Sequence, residues 1–449
     1  MRILAIDVGS SSIKAGYYKN GKLKSLRHVP VQSHLAGHAA EIPAGNLLAS
    51  FEEAIRQTTA GRRKLDAIGI DTFSPGLVAL DKNNRPLLGC ITHQDRRSLR
   101  QAGQLEKTIG MQRHLELTGN RPFPGGIAST SLLWVRQNQP ELFRRIHRIG
   151  QPTTLLVHHL SGQWVIDPSQ AAFLGLYDGV KLGGWVAEIC AAVGVEAKQL
   201  PQIKFADEVA GRVTRAAADR LGLPEGCPVL ASLVDTSAAM LATPGHPGQL
   251  VHSAGSTDVL ALCLPRAKPA PDILTRPLGP GASLPRRWLA VSTIAAGGST
   301  MHWVRANLFA DYSAGKFNKL VEQIGEEPAA VPGDDQDNSS ASPPVFQPYL
   351  AGDRTSLEVK TAAFENLTLA DTRLDMLRAV VESLAQASRE RFNRLRRLHP
   401  VRREIFTMGG QVELARIMHR RWPGRWTFTP LEDEALGGLR RLAAAVERL

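Results

Sequence analysis

Three apolar stretches at the start of the chain predict three consecutive strands. Residues 2–9 form a nearly continuous apolar run with one acidic residue, and the stretches 11–18 and 22–31 are also rich in residues that favour extended structure. Asn20 and Gly21 separate the second stretch from the third, and this pair is typical of a two-residue turn in a β-hairpin. The chain is therefore predicted to open with antiparallel strands.

Helical and extended patterns then alternate along the chain. Residues 46–59 carry apolar side chains at helical spacing, and strands are predicted at 67–70 and 77–80. Residues 369–398 repeat apolar positions every three or four residues, which predicts a long amphipathic helix. A short strand, a Gly-Gly turn, a helix, another strand and a final helix are predicted to follow it. Strands mixed with helices of this length indicate the α/β class.

A similar stretch occurs in both halves of the chain. DVGSSSIKA occupies 7–15 and SAGSTDVLA occupies 253–261, and each places a glycine and two hydroxyl residues between stretches of β-type residues. We interpret the pair as a duplicated hairpin, with one copy near the start of each half. The division that follows is an N-terminal domain of residues 1–227 and a C-terminal domain of residues 228–449.

Two segments have the composition of exposed, mobile loops. Residues 265–286 contain six prolines, and residues 328–344 are rich in proline, aspartate, asparagine and serine. These residue types favour turns and irregular structure over helices and central strands. Both segments are therefore predicted to lie outside the core.

The composition of the 449-residue chain is that of a globular protein. Hydrophobic residues make up 43% and charged residues 21%, which excludes wholesale disorder. The four cysteines lie far apart, which disfavours a disulfide scaffold or a structural zinc site and fits a reducing compartment. No apolar run has the length of a membrane span, and Asp7 falls where a signal peptide would need apolar residues. We therefore expect a cytoplasmic protein without a membrane partner.

A net charge of +12 raises the question of an anionic partner. The most basic stretch, 388–404, contains seven arginines and could contact a nucleic acid. The alternative is a solvated helix face whose basic end suits the helix dipole. No aromatic stacking pattern or zinc-finger spacing accompanies the arginines, so we favour the helix face and expect no nucleic-acid partner.

The turns of the two hairpins are candidate phosphate sites. Each offers backbone N–H groups and hydroxyls, and glycine lets the backbone approach an anion closely. The alternative is two ordinary hairpin turns. Asp7, at the end of the first apolar strand, has the wrong charge to touch phosphate but suits Mg²⁺, held directly or through water. The turn residues are Gly9, Ser10, Ser11, Gly255, Ser256 and Thr257.

Two aspartates are candidates for the chemistry. Asp235 follows an apolar strand and opens a helix, so it is either the N-cap of that helix or a base that takes a proton from a hydroxyl attacking phosphorus. Asp95 precedes Arg96 and Arg97, so it is either one side of a surface ion pair or a ligand for substrate hydroxyls. The patterns alone leave both alternatives open for each aspartate.

Taken in order, these pieces resemble the FGGY family of carbohydrate kinases over nearly the whole chain. The first hairpin resembles the family's first phosphate motif, D-x-G-T-[ST]-x-x-[KR], and the second hairpin resembles its second phosphate motif. One such match is weak, but the whole series in the family's order is specific. The other segments similar to family motifs are 68–81 (IGIDTFSPGLVALD), 92–98 (THQDRRS), 231–242 (ASLVDTSAAMLA), 295–308 (AAGGSTMHWVRANL), 348–356 (PYLAGDRTS), 408–422 (MGGQVELARIMHRRW) and 434–445 (EALGGLRRLAAA).

The resemblance implies a fold of two ribonuclease H-like domains, with ATP and a sugar in the cleft between them. It makes Asp235 the catalytic base, and it gives Asp7 the role of positioning Mg²⁺, through water, and the attacked phosphate. The nucleotide and phosphate residues that it implies are Gly9, Ser10, Ser11, Lys14, Gly255, Ser256, Thr257, Gly298, Gly409 and Gly410. The substrate residues that it implies are Thr72, Phe73, Ser74, Asp95 and Thr236.

The chain also departs from the family pattern. Residues 71–76 read Asp-Thr-Phe-Ser-Pro-Gly, so Ser74 and Pro75 fall within the stretch where xylulose kinases usually carry S-G-Q-M-H-G. His93 replaces the usual tryptophan of W-x-D-x-R, and Gln411 replaces a small residue of the adenosine motif. These changes affect the expected sugar more than the expected phosphoryl transfer.

The activity implied is ATP- and Mg²⁺-dependent phosphorylation of a primary hydroxyl of a ketose, with a pentulose such as xylulose or ribulose favoured. Rhamnulose-, sedoheptulose- and gluconate-type kinases are alternatives, as is a non-catalytic actin-like protein that binds ATP and sugar. Dimers are common among such kinases. The sequence identifies neither the sugar nor the phosphorylated carbon.

Overall fold

The computed structural model describes residues 1–61, 64–327, 342–353, 356–431 and 434–446. None of the described helices is long and apolar enough to span a membrane. The strands are β1 (Arg2–Val8), β2 (Ser12–Lys19), β3 (Lys22–Pro30), β4 (His34–Ala36), β5 (Ala39–Ile42), β6 (Ala67–Thr72), β7 (Gly76–Leu80), β8 (Cys90–Thr92), β9 (Arg148–Gly150), β10 (Val165–Ile166), β11 (Gln202–Ile203), β12 (Val209–Arg212), β13 (Pro228–Leu230), β14 (Leu233–Val234), β15 (Leu250–Ala254), β16 (Asp258–Leu264), β17 (Leu274–Pro277), β18 (Trp288–Ile294), β19 (Val345–Gln347), β20 (Ala363–Glu365), β21 (Glu404–Met408) and β22 (Thr427–Pro430). The helices are α1 (Ala44–Thr59), α2 (Leu99–Ile109), α3 (Met111–Thr118), α4 (Ala128–Asn138), α5 (Pro140–Arg144), α6 (Pro152–Ser161), α7 (Pro168–Leu174), α8 (Ala187–Val193), α9 (Arg215–Leu221), α10 (Asp235–Ala242), α11 (Gly298–Leu308), α12 (Ala314–Glu326), α13 (Arg373–Leu398), α14 (Val412–Arg421) and α15 (Glu434–Val446), with a 3₁₀ turn at Ala197–Gln199.

The chain forms two compact units, and each contains more than one segment of the sequence. The predicted boundary between residues 227 and 228 falls inside the first unit, because β14 pairs with β6 and α10 packs against α15 there. The first unit contains Met1–Gln249, Cys263–Ala290 and Leu431–Leu449, and the second contains Leu250–Leu262 and Val291–Pro430.

The main sheet of the first unit begins with the three predicted strands. Its order is β12-β13-β6-β1-β2-β3, with β14 also paired to β6. The pairs β1–β2 and β2–β3 are antiparallel, whereas β6 lies parallel to β1. Asn20 (φ 51°) and Gly21 (φ 77°) provide the left-handed backbone that a tight hairpin turn requires. The predicted hairpin is therefore confirmed.

The sheet of the second unit repeats this arrangement. Strands β18, β16, β15, β21 and β22 lie side by side in that order. β15 and β16 form the antiparallel hairpin predicted for the second half, and β21 and β22 lie parallel to β15 and to each other. Each unit thus places a hairpin turn next to the carboxyl end of a parallel strand, which is where ligands bind in α/β sheets.

The last helix completes the packing of the first unit. α15 contacts β1, β6 and α10. α15 and α10 approach so closely that a Cβ at Gly438 would collide with the backbone of Ala238. Leu439 and Leu442 of α15 are fully buried, so the helix contributes apolar side chains to the core.

One predicted strand is interrupted by a single residue. The apolar stretch 228–234 was expected to form one strand, but it divides into β13 and β14 at Ser232, whose φ is 69°. The Ser232 hydroxyl accepts a hydrogen bond from Ile70 N at 2.9 Å and donates one to Leu230 O at 3.1 Å. These bonds satisfy backbone groups that a regular strand would have paired.

The prediction of an exposed loop for residues 265–286 is wrong at its centre. Residues 273–280 are buried, and they include β17. The buried Asp207 carboxylate accepts hydrogen bonds from the backbone N–H groups of residues 281–284, which fixes the following turn. For the other predicted loop, 328–344, residues 328–341 lie outside the described residues.

The long helix α13 begins four residues later than its predicted start at residue 369. Thr372 caps it by accepting a hydrogen bond from Leu374 N, and Asp375 accepts one from Thr372 N, which completes a capping box. Within the arginine-rich stretch, Arg391 is only 5% exposed. The prediction of a solvated face is therefore wrong for this one arginine.

Candidate active site

Three aspartates lie at the carboxyl ends of three neighbouring parallel strands in the first unit. Asp7 near the end of β1 is directly opposite Asp71 near the end of β6. Val234, the last residue of β14, is opposite Thr72, so Asp235 follows at the same edge of the sheet. Asp7 and Asp235 are partly exposed, whereas Asp71 is fully buried between them and the core. Sequence reasoning named the first and third of these aspartates and missed the second.

Asp71 has an unusual electrostatic environment. Neither of its carboxyl oxygens accepts a hydrogen bond from an N–H or O–H group of the described residues. Burial raises the pKa of Asp71 well above its ordinary value, and the neighbouring charges of Asp7 and Asp235 raise it further. The neutral, protonated form of Asp71 is thus favoured, and its O–H is then a donor for Asp7. Its position next to Asp7 in the strand register was the signal that could have found it.

Asp235 is held at the first turn of α10. The residue that caps the helix is Val234, so the alternative that Asp235 is the N-cap is wrong by one position. Its Oδ1 accepts hydrogen bonds from the backbone N–H of Thr236 at 2.5 Å and from the Thr236 hydroxyl at 2.9 Å. The helix N-terminus and the two bonds stabilise and orient a carboxylate.

The first phosphate turn is small and partly exposed. Gly9 N donates to Ser12 O at 2.9 Å, which closes the turn through Ser10 and Ser11. Lys14 lies opposite Asp7 in the hairpin, and its Nζ is 3.9 Å from Asp7 Oδ2. The turn therefore places partly exposed backbone and hydroxyl groups beside one carboxylate, that of Asp7, and one ammonium group, that of Lys14.

The predicted substrate residues divide into buried and partly exposed groups. The Thr72 hydroxyl lies 2.7 Å from that of Thr153 and accepts from Gln170 Nε2 at 2.9 Å, so it is held by protein groups. Phe73 is a core residue, 3% exposed. Ser74 is partly exposed and donates to Gln170 Oε1 at 2.9 Å. Gln170, which hydrogen-bonds to both Thr72 and Ser74, was not identified from the sequence.

Asp95 forms an ion pair that is buried instead of lying on the surface. Its carboxylate is 2% exposed and accepts hydrogen bonds from Ala40 N at 2.9 Å, Arg97 N at 3.0 Å and Arg97 Nε at 2.8 Å. Arg97 also donates to Glu41 at 2.5 Å. The carboxylate thus organises the segment around it, and a direct role with substrate stays a prediction.

The second phosphate turn in the second unit is bordered by the start of a helix. Gly255 N donates to Thr257 O at 3.0 Å, and Gly298 N donates to Gly255 O at 3.0 Å. Ser299 donates through both its N–H and its hydroxyl to Ser256 O, at 3.0 and 2.9 Å. Gly298 is the first residue of α11. Backbone groups, a hydroxyl turn and a helix N-terminus therefore meet here, which is a setting suited to phosphate.

The glycine turn before α14 packs against the end of β15, directly before the second phosphate turn. Gly409 has φ 97°, and a Cβ there would collide with Ala254 O, so only glycine fits. Gln411 N donates to Ala254 O at 3.0 Å. A Cβ at Gly410 would meet no atom of the described residues within 4 Å. The structure therefore assembles all the predicted nucleotide residues of this unit around one turn.

A buried charge network lies behind the second phosphate turn. Asp258, the residue after the turn, pairs with Arg391 of α13, and its Oδ2 lies 2.7 Å from His252 Nε2. Burial alone would raise the pKa of Asp258, but the charges of Arg391 and His252 lower it well below its ordinary value. Arg391 also donates to the backbone oxygens of Asp258 and Ser292. The network fixes the strand that follows the turn.

Asp7 is compatible with Mg²⁺. No cluster of three or more metal-binding side chains occurs among the described residues. Mg²⁺ does not need one, because it usually keeps several waters and binds one or two carboxylates together with substrate phosphates. Asp7 is partly exposed beside the first phosphate turn, so its carboxylate is available to water and ligand.

Solved structures of sugar kinases share this fold. A xylulose kinase from Rhodospirillum rubrum is 21% identical with a TM-score of 0.84, covering 99% of this chain and 89% of that one. A gluconate kinase from Lactobacillus acidophilus is 19% identical with a TM-score of 0.85, covering 100% of this chain and 90% of that one. The predicted α/β fold of two ribonuclease H-like domains is therefore confirmed.

Sequence comparison gives the same result. A xylulose kinase from Staphylococcus xylosus is 23% identical over 434 residues, covering 91% of this chain and 82% of that protein. The N-terminal domain of the FGGY family of carbohydrate kinases matches residues 2–242, and the C-terminal domain of that family matches residues 250–420. With both family domains present in order, the chain belongs to the FGGY family of carbohydrate kinases, enzymes that phosphorylate sugars with ATP.

Proposed function

We propose that the chain transfers the terminal phosphate of ATP to a primary hydroxyl of a ketose, with a pentulose such as xylulose or ribulose as the favoured class. The observation that carries the proposal is the position of Asp235, a partly exposed carboxylate at a helix start. Two further aspartates lie at the ends of the adjacent strands. The proposal places the enzyme in the cytoplasm, where ATP is available, with no membrane or nucleic-acid partner and with a homodimer as its assembly.

Asp235 is the proposed general base. In phosphoryl transfer the protein mainly positions the reactants and offsets charge, while one carboxylate accepts the proton of the attacking hydroxyl. Both hydrogen bonds from Thr236 go to Oδ1, so they fix the orientation of the carboxylate towards its substrate. Thr236 is the proposed residue that holds the base and, through its exposed side, contacts the sugar.

Asp7 is the proposed residue for Mg²⁺, which it would hold through water. The ion would offset the negative charge of the ATP phosphates. The nearby Lys14 and the turn of Gly9, Ser10 and Ser11 would contact the transferred phosphate, since they supply a cation, N–H groups and hydroxyls. These residues orient the phosphate and leave the proton to Asp235.

The second unit supplies the proposed nucleotide groups. The turn at Gly255, Ser256 and Thr257 together with the N-terminus of α11 offers donors for phosphate oxygens. Gly410 has open space beside its Cα, which permits close approach of the nucleotide. Gly409 keeps that turn in its left-handed conformation.

The pentulose preference rests on relatives named xylulose kinases. Ser74, Pro75 and His93 depart from the xylulose kinase pattern and lie on the proposed sugar side. The His93 ring centroid is 6.1 Å from that of Phe73, the residue before Ser74, so the two departing segments are neighbours in space. A gluconate-type or rhamnulose-type substrate is therefore included in the test.

The test measures ADP release with ATP and Mg²⁺ against a panel of ketoses, polyols and aldonates. One sugar should raise turnover well above the rate with ATP alone. Asp235→Ala should lower kcat by roughly 10²–10⁴-fold, the usual effect of losing a general base. Asp219→Ala, which removes an exposed aspartate from another helix of the same unit, should leave kcat unchanged.

Two results would contradict the proposal. If Asp235→Ala keeps near-full kcat with the best substrate, Asp235 is not the base. If no panel member stimulates ADP release while ATP still raises the melting temperature, the chain is a nucleotide-binding protein without this sugar kinase activity.

A further inference from the structure

Arg276 is a buried cation outside the segments that resemble family motifs. It lies on β17, inside the segment whose proline content predicted an exposed loop, yet its side chain is 1% exposed. Only Nη1 has a hydrogen-bond acceptor, Ser237 Oγ at 2.5 Å, whereas Nε and Nη2 have none among the described residues. A buried cation with so few hydrogen bonds is costly, so some other interaction must compensate for it.

The compensation comes from carboxylates in the same unit. Burial lowers the pKa of Arg276 to about 10, and the charges of Asp235 and Asp167 oppose that shift. Asp167 already caps α7 with both oxygens, accepting from Ser169 N and Gln170 N. Burial also raises the pKa of Asp167 to about 7, so its charge is incomplete at neutral pH. Both carboxylates therefore act on Arg276, and Asp235 belongs to the helical turn that Arg276 contacts through Ser237.

Surrounding residues fix Arg276 in place. Asn120 makes two hydrogen bonds with the backbone of the adjacent Thr275. Asn120 Nδ2 donates to Thr275 O at 3.0 Å, and Asn120 Oδ1 accepts from Thr275 N at 3.1 Å. The guanidinium lies 5.3 Å from the centre of the Phe173 ring. Ser237, its hydrogen-bond partner, is in the first turn of α10, two residues after Asp235. The cation is thus attached to the same helical turn as the carboxylate.

We propose that Arg276 is a positioning residue for Asp235, whose helical turn it holds through the hydrogen bond to Ser237, without touching the substrate. The inference rests on the proposed role of Asp235 as the base. The charges of Asp7 and Asp235 act on the buried Asp71, and those of Asp235 and Asp167 act on Arg276, so Arg276 adds a positive charge to a group of acidic side chains. Lys14 gives Asp7 a cation at the first phosphate turn, and Arg276 brings one to the helical turn that begins with Asp235.

The test compares Arg276→Met, which keeps the bulk and removes the charge, with Arg276→Lys, which keeps the charge. Arg276→Met should lower kcat by roughly 10²-fold, the lower end of the loss of a base, with the KM for ATP unchanged. Arg276→Lys should recover most of kcat. Arg286→Met, an exposed arginine of the same segment, is the matched control and should have wild-type kinetics.

Each outcome decides the matter. Near-wild-type kcat in Arg276→Met overturns the inference. A parallel loss of kcat, ATP binding and melting temperature that Arg276→Lys does not restore also overturns it, because it would show a general role in the fold. If Arg276→Met does not fold, Arg276→Gln replaces it and is judged against Arg276→Lys. Asp235→Ala is assayed alongside: if it stays active, the proposed base fails, whereas if it is inactive and Arg276→Met is active, only the role of Arg276 fails.

Discussion

The two units have the same strand order and the same kind of hairpin turn, but they surround the turn with different chemistry. Two residues before the turn glycine, the first unit has Asp7 and the second has Ser253. On the adjacent parallel strand, Asp71 lies opposite Asp7, whereas Met408 lies opposite Ser253. A repeated backbone therefore carries an acidic site in one unit and a neutral site in the other.

The difference matches the two tasks of a sugar kinase. Acidic side chains at the first turn suit metal binding and proton transfer. Near the second turn, carboxylates would repel a polyphosphate, and the strand positions that correspond to Asp7 and Asp71 are uncharged there. The buried acid of the second unit, Asp258, lies behind its turn and is neutralised by Arg391. Under the proposed roles, the two units divide these tasks through different side chains on a shared backbone.

The largest expected effect concerns the two buried acids, Asp258 and Asp71. Replacing the first by asparagine should destabilise the protein strongly, whereas replacing the second should not. Asp258→Asn leaves Arg391 buried without its ion-pair partner, so we expect a loss of about 3–5 kcal/mol in the free energy of unfolding. Asp71→Asn replaces a carboxyl whose ionised form is disfavoured, so we expect no loss at neutral pH. Urea unfolding at pH 7 measures both, and a large loss in Asp71→Asn would contradict the assignment.

The pH dependence of the same two variants has opposite signs. The pKa of Asp258 is lowered on folding, so its contribution is present above its ordinary pKa of about 4 and is lost as the pH falls below it. The pKa of Asp71 is raised on folding, so its contribution is greatest below about pH 4 and is lost as the pH rises. Relative to wild type, Asp71→Asn should therefore gain stability as the pH rises above about 4.

Exchanging the residues before the two turns should alter catalysis in one unit and nucleotide binding in the other. Asp7→Ser should lower kcat roughly 10²-fold or more, as happens when one electrostatic group of a transfer site is removed. Ser253→Asp should raise the KM for ATP, because it adds a negative charge near the proposed phosphate site, and should leave the KM for sugar unchanged. Equal effects of both variants on ATP and sugar would contradict the division of tasks.

Adjacent glycines of the second unit offer a finer comparison. Gly409→Ala forces a side chain into a left-handed backbone and against Ala254 O, so we expect a loss of about 1–3 kcal/mol in stability. Gly410→Ala places its methyl group within 4 Å of no atom in the described part of the chain, so it should fold normally and weaken only ATP binding. Thermal unfolding and ATP titration of both variants separate the backbone requirement from the ligand requirement.

The smallest expected effect is that of Lys14 on stability. Its ion pair with Asp7 is 3.9 Å long and partly exposed, with 35% and 17% of the two side chains accessible. Such pairs contribute about 1 kcal/mol or less. Lys14→Gln should therefore change the unfolding free energy by less than that while raising the KM for ATP. A large loss of stability would show that Lys14 acts mainly within the fold.

Much of the fold followed from local sequence patterns. The two hairpins and α1 depend on alternating apolar residues, helical spacing and the Asn20-Gly21 turn, which are features of short stretches. The placement of β17 did not follow, since prolines suggested a loop while distant groups, including Asp207 and Asn120, hold that segment in place. Ser232 was missed for the same reason, because its hydrogen-bond partner Ile70 lies 162 residues away.

The candidate site divides in the same way. Asp7, Asp235 and the two glycine-hydroxyl turns belong to short motifs, so a resemblance to a family could identify them. Asp71, Gln170 and Arg276 act through neighbours on other strands and helices, and no local pattern marks them. A buried charge becomes visible only when the groups that surround it are known.

The close packing of α15 on α10 also has a consequence for the order of folding during synthesis. Domains commonly fold as their residues leave the ribosome, the N-terminal one first. Here the second unit ends at Pro430, before the helix that covers α10 and contacts β1 has been made. The second unit can therefore finish folding earlier, while the unit that contains Asp7 and Asp235 waits for residues 434–446. With the nucleotide groups proposed for the second unit, a ribosome-bound chain would complete its proposed nucleotide side before its proposed sugar side.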